Sequence, residues 1–130
     1  MKKLFMLFAL TALVMVSCKK EEHSIRYEVT TDNQVDSLII QRLAGKNYLN
    51  ILDSGTVMIN SMYWTKTISN ADISAGTHYE IKALYHGQQN PGNVNVKIYY
   101  DDHLIKEDNA TPMLIDGVIW YAEPSCFYIF

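Results

Sequence analysis

Apolar and polar side chains alternate along most of the chain beyond residue 24, and a period of two is typical of half-buried β-strands. The alternation is clearest in residues 25–30, 78–85 and 94–100. Clusters of Gly, Asn, Asp and Pro separate the alternating segments roughly every ten residues, and helical signals are nearly absent. The pattern predicts an all-β domain at residues 25–130, with about seven strands in two antiparallel sheets that form a β-sandwich.

Shorter strands and their turns follow from the same pattern. Further strands are predicted at residues 36–43, 48–52, 56–59, 62–68, 103–107, 111–121 and 127–130. Turns are predicted at residues 32–34, 44–47, 53–55 and 87–93, and a loop at residues 69–76. The clearest hairpin is predicted to turn at Asp101-Asp102, and the strand at 111–121 is interrupted near Asp116-Gly117.

The N-terminal segment has a different pattern. A cationic start is followed by residues 4–16, which are apolar except for Thr11. A membrane-spanning helix needs roughly 20 apolar residues, and this run provides about two thirds of that length. It therefore indicates the hydrophobic region of a secretory signal peptide rather than a membrane-spanning helix.

The end of this run indicates how the protein is held. The sequence Leu13-Val14-Met15-Val16-Ser17-Cys18 resembles the bacterial lipobox, although Met15 stands where leucine is commonest. The resemblance implies that residues 1–17 are removed as a lipoprotein signal peptide. It also implies that Cys18 becomes the acylated first residue, with residues 18–24 as a tether. Two or three acyl chains would give a stable anchor. The alternative is an ordinary signal peptide with an incidental cysteine.

Four charged residues follow the cysteine. Lys19-Lys20-Glu21-Glu22 is similar to the export signal of surface lipoproteins of the Bacteroidetes type. That similarity implies an outer-membrane lipoprotein that is exposed on the cell surface. The alternative is a solvated tether in a lipoprotein that faces the periplasm.

Charge and cysteine content limit the partners. Without Lys2 and Lys3, nine basic residues stand against 14 acidic residues, so no nucleic-acid partner is expected. With Cys18 acylated, Cys126 has no partner for an intramolecular disulfide. We expect Cys126 to be a small buried residue, with an intermolecular disulfide as the alternative.

Candidate catalytic and metal-binding residues are sparse. His78 and Glu80 would share a strand face, and Asp101-Asp102-His103 gathers metal-ligand types at one turn, but a metal site needs three or four converging groups. No nucleophile elbow or glycine-rich phosphate loop is present. Glu107-Asp108 would point to opposite faces of a strand. The sequence therefore predicts no cofactor, no metal and no enzyme activity, and a small hydrolase is the least favoured function.

A second resemblance covers about residues 26–110. Residues 63–68, Gly76, 81–84 and 94–107 follow the order seen in the small mycobacterial membrane protein (MmpS) family. Tyr63 replaces the family's proline, Asp102 replaces its turn glycine, and a lipobox replaces its membrane helix. The resemblance implies an immunoglobulin-like sandwich outside the inner membrane. It further implies an accessory role beside a transporter of lipids or siderophores.

Aromatic residues are the best indication of a binding site. They make up 12% of the chain, more than one small core is expected to hold. If Tyr99 faces outward, Tyr85 and Tyr121 on neighbouring strands are candidates to extend an exposed row, which would bind a sugar ring or a protein partner. The alternative is that Trp64 and Trp120 fill the core while the tyrosines cover sheet edges.

Two functions remain in contention. The first is a non-catalytic binding or accessory module for a protein or glycan partner. The second is a carrier of a small apolar or lipidic ligand held between the sheets. Independently, Asp36-Ser37-Leu38 is similar to Bacteroidetes-type O-glycosylation sites, which predicts a glycan on Ser37.

Overall fold

The computed structural model describes residues 21–46 and 50–130. The predicted signal peptide at residues 1–17 and the predicted lipidation site Cys18 lie outside the described residues. Ten strands follow in chain order: β1 (Ser24–Thr31), β2 (Leu38–Lys46), β3 (Asn50–Ile59), β4 (Tyr63–Ser69), β5 (Thr77–Gly87), β6 (Val94–Tyr100), β7 (His103–Ala110), β8 (Met113–Ile115), β9 (Ile119–Ala122) and β10 (Ser125–Ile129).

The strands form two antiparallel sheets. Sheet A has the order β4-β1-β6-β7, and sheet B has the order β3-β2-β5-β9-β8, with β10 also paired to β5. The predicted all-β, two-sheet sandwich is confirmed, although it has ten strands rather than about seven. The immunoglobulin-like type stays a prediction. No helix in the described part of the chain is long and apolar enough to cross a membrane.

The core lies between the two sheets and contains three buried tyrosines. Tyr27 of β1 donates a hydrogen bond to the Leu43 carbonyl of sheet B. Tyr79 and Tyr85 of β5 donate to the carbonyls of Asp72 and Gln89. Burial raises the pKa of Tyr27 well above its ordinary value and that of Tyr79 to about 12. These hydroxyl groups are therefore neutral donors that tie the core to the backbone around it.

The predicted turn at residues 53–55 is wrong, because β3 runs through it without a break. Asp53 pairs with the Arg42 guanidinium of β2 at 2.8 Å. That guanidinium also lies over Gly55, where a Cβ atom would meet it at 2.6 Å. Asp53 and Gly55 are of residue types common in turns, but here they lie within a strand because they accommodate the Arg42 side chain of the neighbouring strand. Residues 44–46, predicted as part of another turn, belong to β2 and contain a bulge after Ala44.

The Asp101-Asp102 hairpin turn is confirmed and has an unusual backbone. Both residues have positive φ, 46° for Asp101 and 64° for Asp102. Asp101 is held by its contacts, since its carboxylate accepts hydrogen bonds from the Ser24 amide at 2.8 Å and lies 2.8 Å from His23 Nδ1. Asp102 is exposed and has a 3.5 Å ion pair with Arg26.

We predict that Asp102→Gly raises the free energy of unfolding by about 0.5–1 kcal/mol, because glycine adopts positive φ without the steric cost that aspartate has. Asp101→Gly is the matched control. It gains the same backbone freedom but loses the contacts to Ser24 and His23, so we expect no gain in stability. Urea denaturation measures both, and equal effects of the two substitutions would contradict the prediction.

Candidate functional site

The outer face of sheet A carries a polar network centred on Glu28. Its carboxylate accepts a 2.9 Å hydrogen bond from Arg26 and a 3.3 Å bond from the Tyr99 hydroxyl, and lies 3.6 Å from the Lys97 ammonium. The Tyr63 hydroxyl also donates to it at 3.4 Å. The charged groups around Glu28 are therefore paired within the chain.

Tyr99 lies on this face as predicted, but its ring is not free. The Arg26 guanidinium stands over the ring, 3.8 Å from its centroid. Arg26 and Leu104 are the cross-strand neighbours of Tyr99 on either side. A sugar ring would have to displace the guanidinium before it could stack on Tyr99.

The expectation that Tyr85 joins an exposed row is wrong. Tyr85 is 1% exposed and belongs to the core. It follows Ile81 and Ala83 at alternate positions of β5, and those residues are buried too. The alternation that placed those residues inside applies equally to Tyr85, so the sequence already held this signal.

Tyr121 lies on the outer face of sheet B. It is half-buried and stands opposite the exposed His86 of β5, while its neighbour Ala122 is buried. Tyr99 and Tyr121 therefore lie on opposite outer faces of the sandwich. The prediction of one continuous tyrosine row is wrong, and Tyr121 stands beside Met113 of β8.

The outer face of sheet B carries apolar side chains on all its strands, divided by a polar row of Thr56, Gln41, Lys82 and Ser125. Met58 of β3, Ile39 of β2 and Leu84 of β5 are cross-strand neighbours and form one row. Further along the face, Tyr121 pairs with Met113 and Ile119 pairs with Ile115. Phe127 and Ile129 of β10 project from the same face beside β5. We call this set the apolar face: Ile39, Met58, Leu84, Met113, Ile115, Ile119, Tyr121, Phe127 and Ile129.

Several members of the apolar face are well exposed. Met58 is 66% exposed, Met113 63% and Phe127 61%. Sequence reasoning did not single out these three residues. For Phe127, the sequence did contain a signal. In β10, Phe127 is preceded by the buried Pro124 and Cys126 and followed by the half-buried Tyr128, so alternation places it outside.

Polar groups on this face include Thr56, Gln41, Lys82 and Ser125, which form one cross-strand row. Lys82 of β5 forms an ion pair with Glu123, which also accepts a hydrogen bond from the Tyr121 hydroxyl. His78 and Glu80 share the face, as their spacing in the strand predicted, and lie beside Ile129 and Phe127. In the part of the chain that the structure describes, no three His, Cys, Asp or Glu residues gather as metal ligands.

A separate groove of about 620 Å³ opens at the end of the sandwich where β1 begins. Glu21, His23 and residues 70–74 line it. Hydrogen bonds from the side chain and amide of Ser74 lower the pKa of Asp72 to about 2, and Lys46 adds to this effect. The carrier hypothesis would place its ligand between the sheets, whereas this groove lies at the rim of the sandwich.

The Asp72 contacts predict a pH dependence of stability. Because the pKa of Asp72 is lowered on folding, its contribution is present above the unfolded value near 3.8 and is lost as the pH falls towards about 2. We expect Asp72→Asn to flatten the acid side of the stability–pH curve between these values. Urea denaturation at a series of pH values measures it, and an unchanged slope in the variant would refute the prediction.

The remaining predicted residues have simple surroundings. Cys126 is buried as expected, and burial raises the pKa of its thiol to about 12. Trp64 and Trp120 pack against the core but are only half-buried, so neither fills it. Ser37 is half-buried immediately before β2, and its glycosylation stays a prediction.

No protein-family model matches the chain. No curated protein matches it significantly either. The resemblance to the small mycobacterial membrane protein family therefore stays a prediction.

Proposed function

We propose that the chain is a lipid-anchored, non-catalytic envelope protein that acts as a binding or accessory module, with a protein partner that docks on the apolar face. One observation carries the proposal: Met58, Met113 and Phe127 stand well exposed on the outer face of sheet B. Soluble monomeric proteins rarely leave a large contiguous apolar surface in water, and such surfaces typically mark interaction sites.

The two outer faces differ in a way that supports this assignment. Around Glu28, the charged groups of sheet A are already paired within the chain. The apolar face presents side chains that gain free energy when a partner removes them from water, at roughly 25 cal/mol per Å². The gain from docking is therefore concentrated on sheet B.

A protein partner is favoured over a glycan. Stacking on a sugar needs an open aromatic face, and the Tyr99 ring is covered by Arg26. The Phe127 ring is open and stands opposite Glu80, whereas the row of Met58, Ile39 and Leu84 offers no hydrogen bonds to sugar hydroxyl groups. Aliphatic and methionine side chains are instead typical of the fully buried part of a protein–protein interface.

The proposed anchor lies at one end of the sandwich, and one row of the apolar face lies at the other end. Residues 18–24 lead into β1, and Ser24 pairs with Ser69 and lies near Asp101 at one end of the sandwich. We call this end proximal. The row of Met58, Ile39 and Leu84 lies towards the other end, because Phe130, which contacts Tyr100 at the proximal end, bonds to Thr77 at the start of β5, seven residues before Leu84. A chain anchored at Cys18 would therefore display this row away from the lipid.

The experiment is capture of crosslinked partners from intact cells, comparing the natural chain with a Cys18→Ala strain. We expect one specific protein to be captured by the acylated chain and lost when Cys18 is replaced. Mass spectrometry of the N-terminal peptide reports acylation separately. An unmodified Cys18 thiol would refute the anchor, and capture of no specific protein would refute the binding role.

A further inference from the structure

We propose that the partner binds by strand addition: an extended, uncharged segment of a different protein pairs with the β3 edge of sheet B, beside the row of Met58, Ile39 and Leu84. This inference rests on the proposed function and describes how the partner binds. Three features of the edge support it: its open backbone, its lack of protective residues and its continuity with that row.

The β3 edge presents a row of backbone donors and acceptors that an added strand would pair. β3 is the terminal strand of sheet B, and within the described residues its far side pairs with no other strand. One irregularity lies between Ile51 and Asp53, and residues 53–59 pair with β2 in an unbroken register. In an antiparallel ladder, every second residue of an edge strand points its N–H and C=O groups away from its neighbour. An extended peptide segment matches such a row with its own backbone groups.

The β3 edge lacks the protection that the other edge strands have. Sheet edges are usually protected by lysine or other charged side chains, by proline, or by being short. β4 carries the exposed Lys66, and β7 carries the exposed charged residues 106–108. β8 and β10 are short, with three and five residues. Residues 53–59 of β3, by contrast, contain no lysine, glutamate or proline.

The charge at this edge favours an uncharged segment. Asp53 is the one charged residue within residues 53–59, and its carboxylate pairs with the Arg42 guanidinium at 2.8 Å. This stretch therefore offers no free charge to a partner. A charged segment would lose its hydration here without gaining a counterion.

The side chains of β3 indicate where the segment is apolar. Val57 and Ile59 pack against the core but remain half-buried. Their cross-strand neighbours on β2, Ile40 and Leu38, are buried. Met58 lies between them in the strand, points to the outer face and is 66% exposed. An added strand would cover apolar side chains on both faces of the sheet here, so we expect three successive apolar residues in the segment beside these positions.

A different protein is favoured over a second copy of this chain. If two β3 edges paired antiparallel, the two chains would run in opposite directions, and their Ser24 ends would lie at opposite ends of the assembly. Two chains anchored through Cys18 could not then both reach one bilayer. A segment of a different protein is not limited in this way.

The first test is capture of crosslinked partners from intact cells, with substitutions that leave the row of Met58, Ile39 and Leu84 unchanged. Thr56→Lys places a charged side chain at the exposed middle of β3, as natural edge strands do to resist strand addition. Thr67→Lys makes the same change at an exposed position of the β4 edge and is the matched control. Thr56→Val removes the same hydroxyl group without adding charge.

The second test is hydrogen exchange, which reports on the backbone itself. Mass spectrometry compares the crosslinked complex purified from cells with the natural chain alone. Strand addition bonds the outward amides of β3, so we expect exchange at residues 53–59 to slow at least tenfold in the complex. Residues 63–69 of β4 are the internal control and should exchange equally in both. Because this test uses the natural chain, it decides the inference even where Thr56→Lys fails to fold.

We expect Thr56→Lys to lower the captured partner at least tenfold, while Thr67→Lys and Thr56→Val leave it within twofold. Full capture with Thr56→Lys, or unchanged exchange at residues 53–59, would overturn strand addition and leave the proposed function standing. Equal losses with either control would also overturn it, because added charge or the lost hydroxyl would then explain them. Capture of only a second copy would overturn the choice of a different protein. Capture of no specific protein by the natural chain would overturn both proposals.

Discussion

Replacing Tyr27 with alanine is expected to lower the free energy of unfolding by about 3–5 kcal/mol, the range for removal of a large buried side chain. Tyr27 is completely buried in β1, and its hydroxyl donates to the Leu43 carbonyl of the other sheet. Its ring thus contributes to the packing between the sheets, and its hydroxyl joins them directly. Small domains are stable by only about 5–15 kcal/mol, so this substitution removes much of the stability.

Two matched variants separate the contributions. Tyr27→Phe keeps the ring and loses the hydrogen bond, so we expect a loss of about 1 kcal/mol. Tyr99→Ala removes a tyrosine from the outer face of sheet A, where the contacts to Arg26 and Glu28 are lost, and should cost no more than about 1 kcal/mol. Urea denaturation of a chain that begins at residue 18 with Cys18→Ala measures all three. A Tyr27→Ala effect as small as that of Tyr99→Ala would contradict the described core.

Placing carboxylates on the apolar face is expected to abolish docking. In the double variant Met58→Glu and Leu84→Glu, the partner must desolvate two added charges within a row of aliphatic side chains. A loss of only about 1.4 kcal/mol already reduces binding tenfold, so we expect the amount of captured partner to fall at least tenfold. Quantitative mass spectrometry of crosslinked material from intact cells measures it.

The control for this experiment changes the net charge equally. Thr65→Glu with Thr67→Glu places two carboxylates on the outer face of sheet A, where the native threonines are exposed. We expect its captured partner to stay within twofold of the natural chain. Similar losses in the two double variants would show that added negative charge, and not the apolar face, governs capture.

Much of the fold could be predicted from the alternation of side chains. The hairpin at residues 94–107 and the loop before β5 were predicted because their polar and apolar residues separate cleanly. The continuation of β3 through Asp53-Ser54-Gly55 could not be predicted, since it depends on Arg42 of the neighbouring strand. Local turn propensity is overridden there by a contact between strands.

The candidate site was only partly predictable. Alternation divides a strand into two faces but does not say which neighbour covers each face. Tyr121 was identified because it is aromatic. Met58 and Met113 can be recognised as part of a binding surface only when the strand order places them on the same face as Leu84. Tyr99 was predicted to face outward, but its cover by Arg26 depends on the register of β1 and β6.

The outer faces of the two sheets differ in their chemical character. The Glu28 network offers water a surface of paired charges, and such a face keeps a protein soluble. The apolar face has the opposite character and lies on the sheet whose edges are β3 and β8. The central claim is that this second face is covered by a protein in the cell.

The most direct test of that claim is hydroxyl-radical footprinting. The chain in intact cells is compared with the purified chain, which is diluted to the monomer without denaturant. Met58 and Met113 report on the apolar face, while Met62 in the β3–β4 turn and Tyr63 on sheet A are internal controls. We predict that oxidation of Met58 and Met113 falls at least threefold in cells while Met62 and Tyr63 change little. Equal oxidation of all four residues in cells and in the purified monomer would contradict the account.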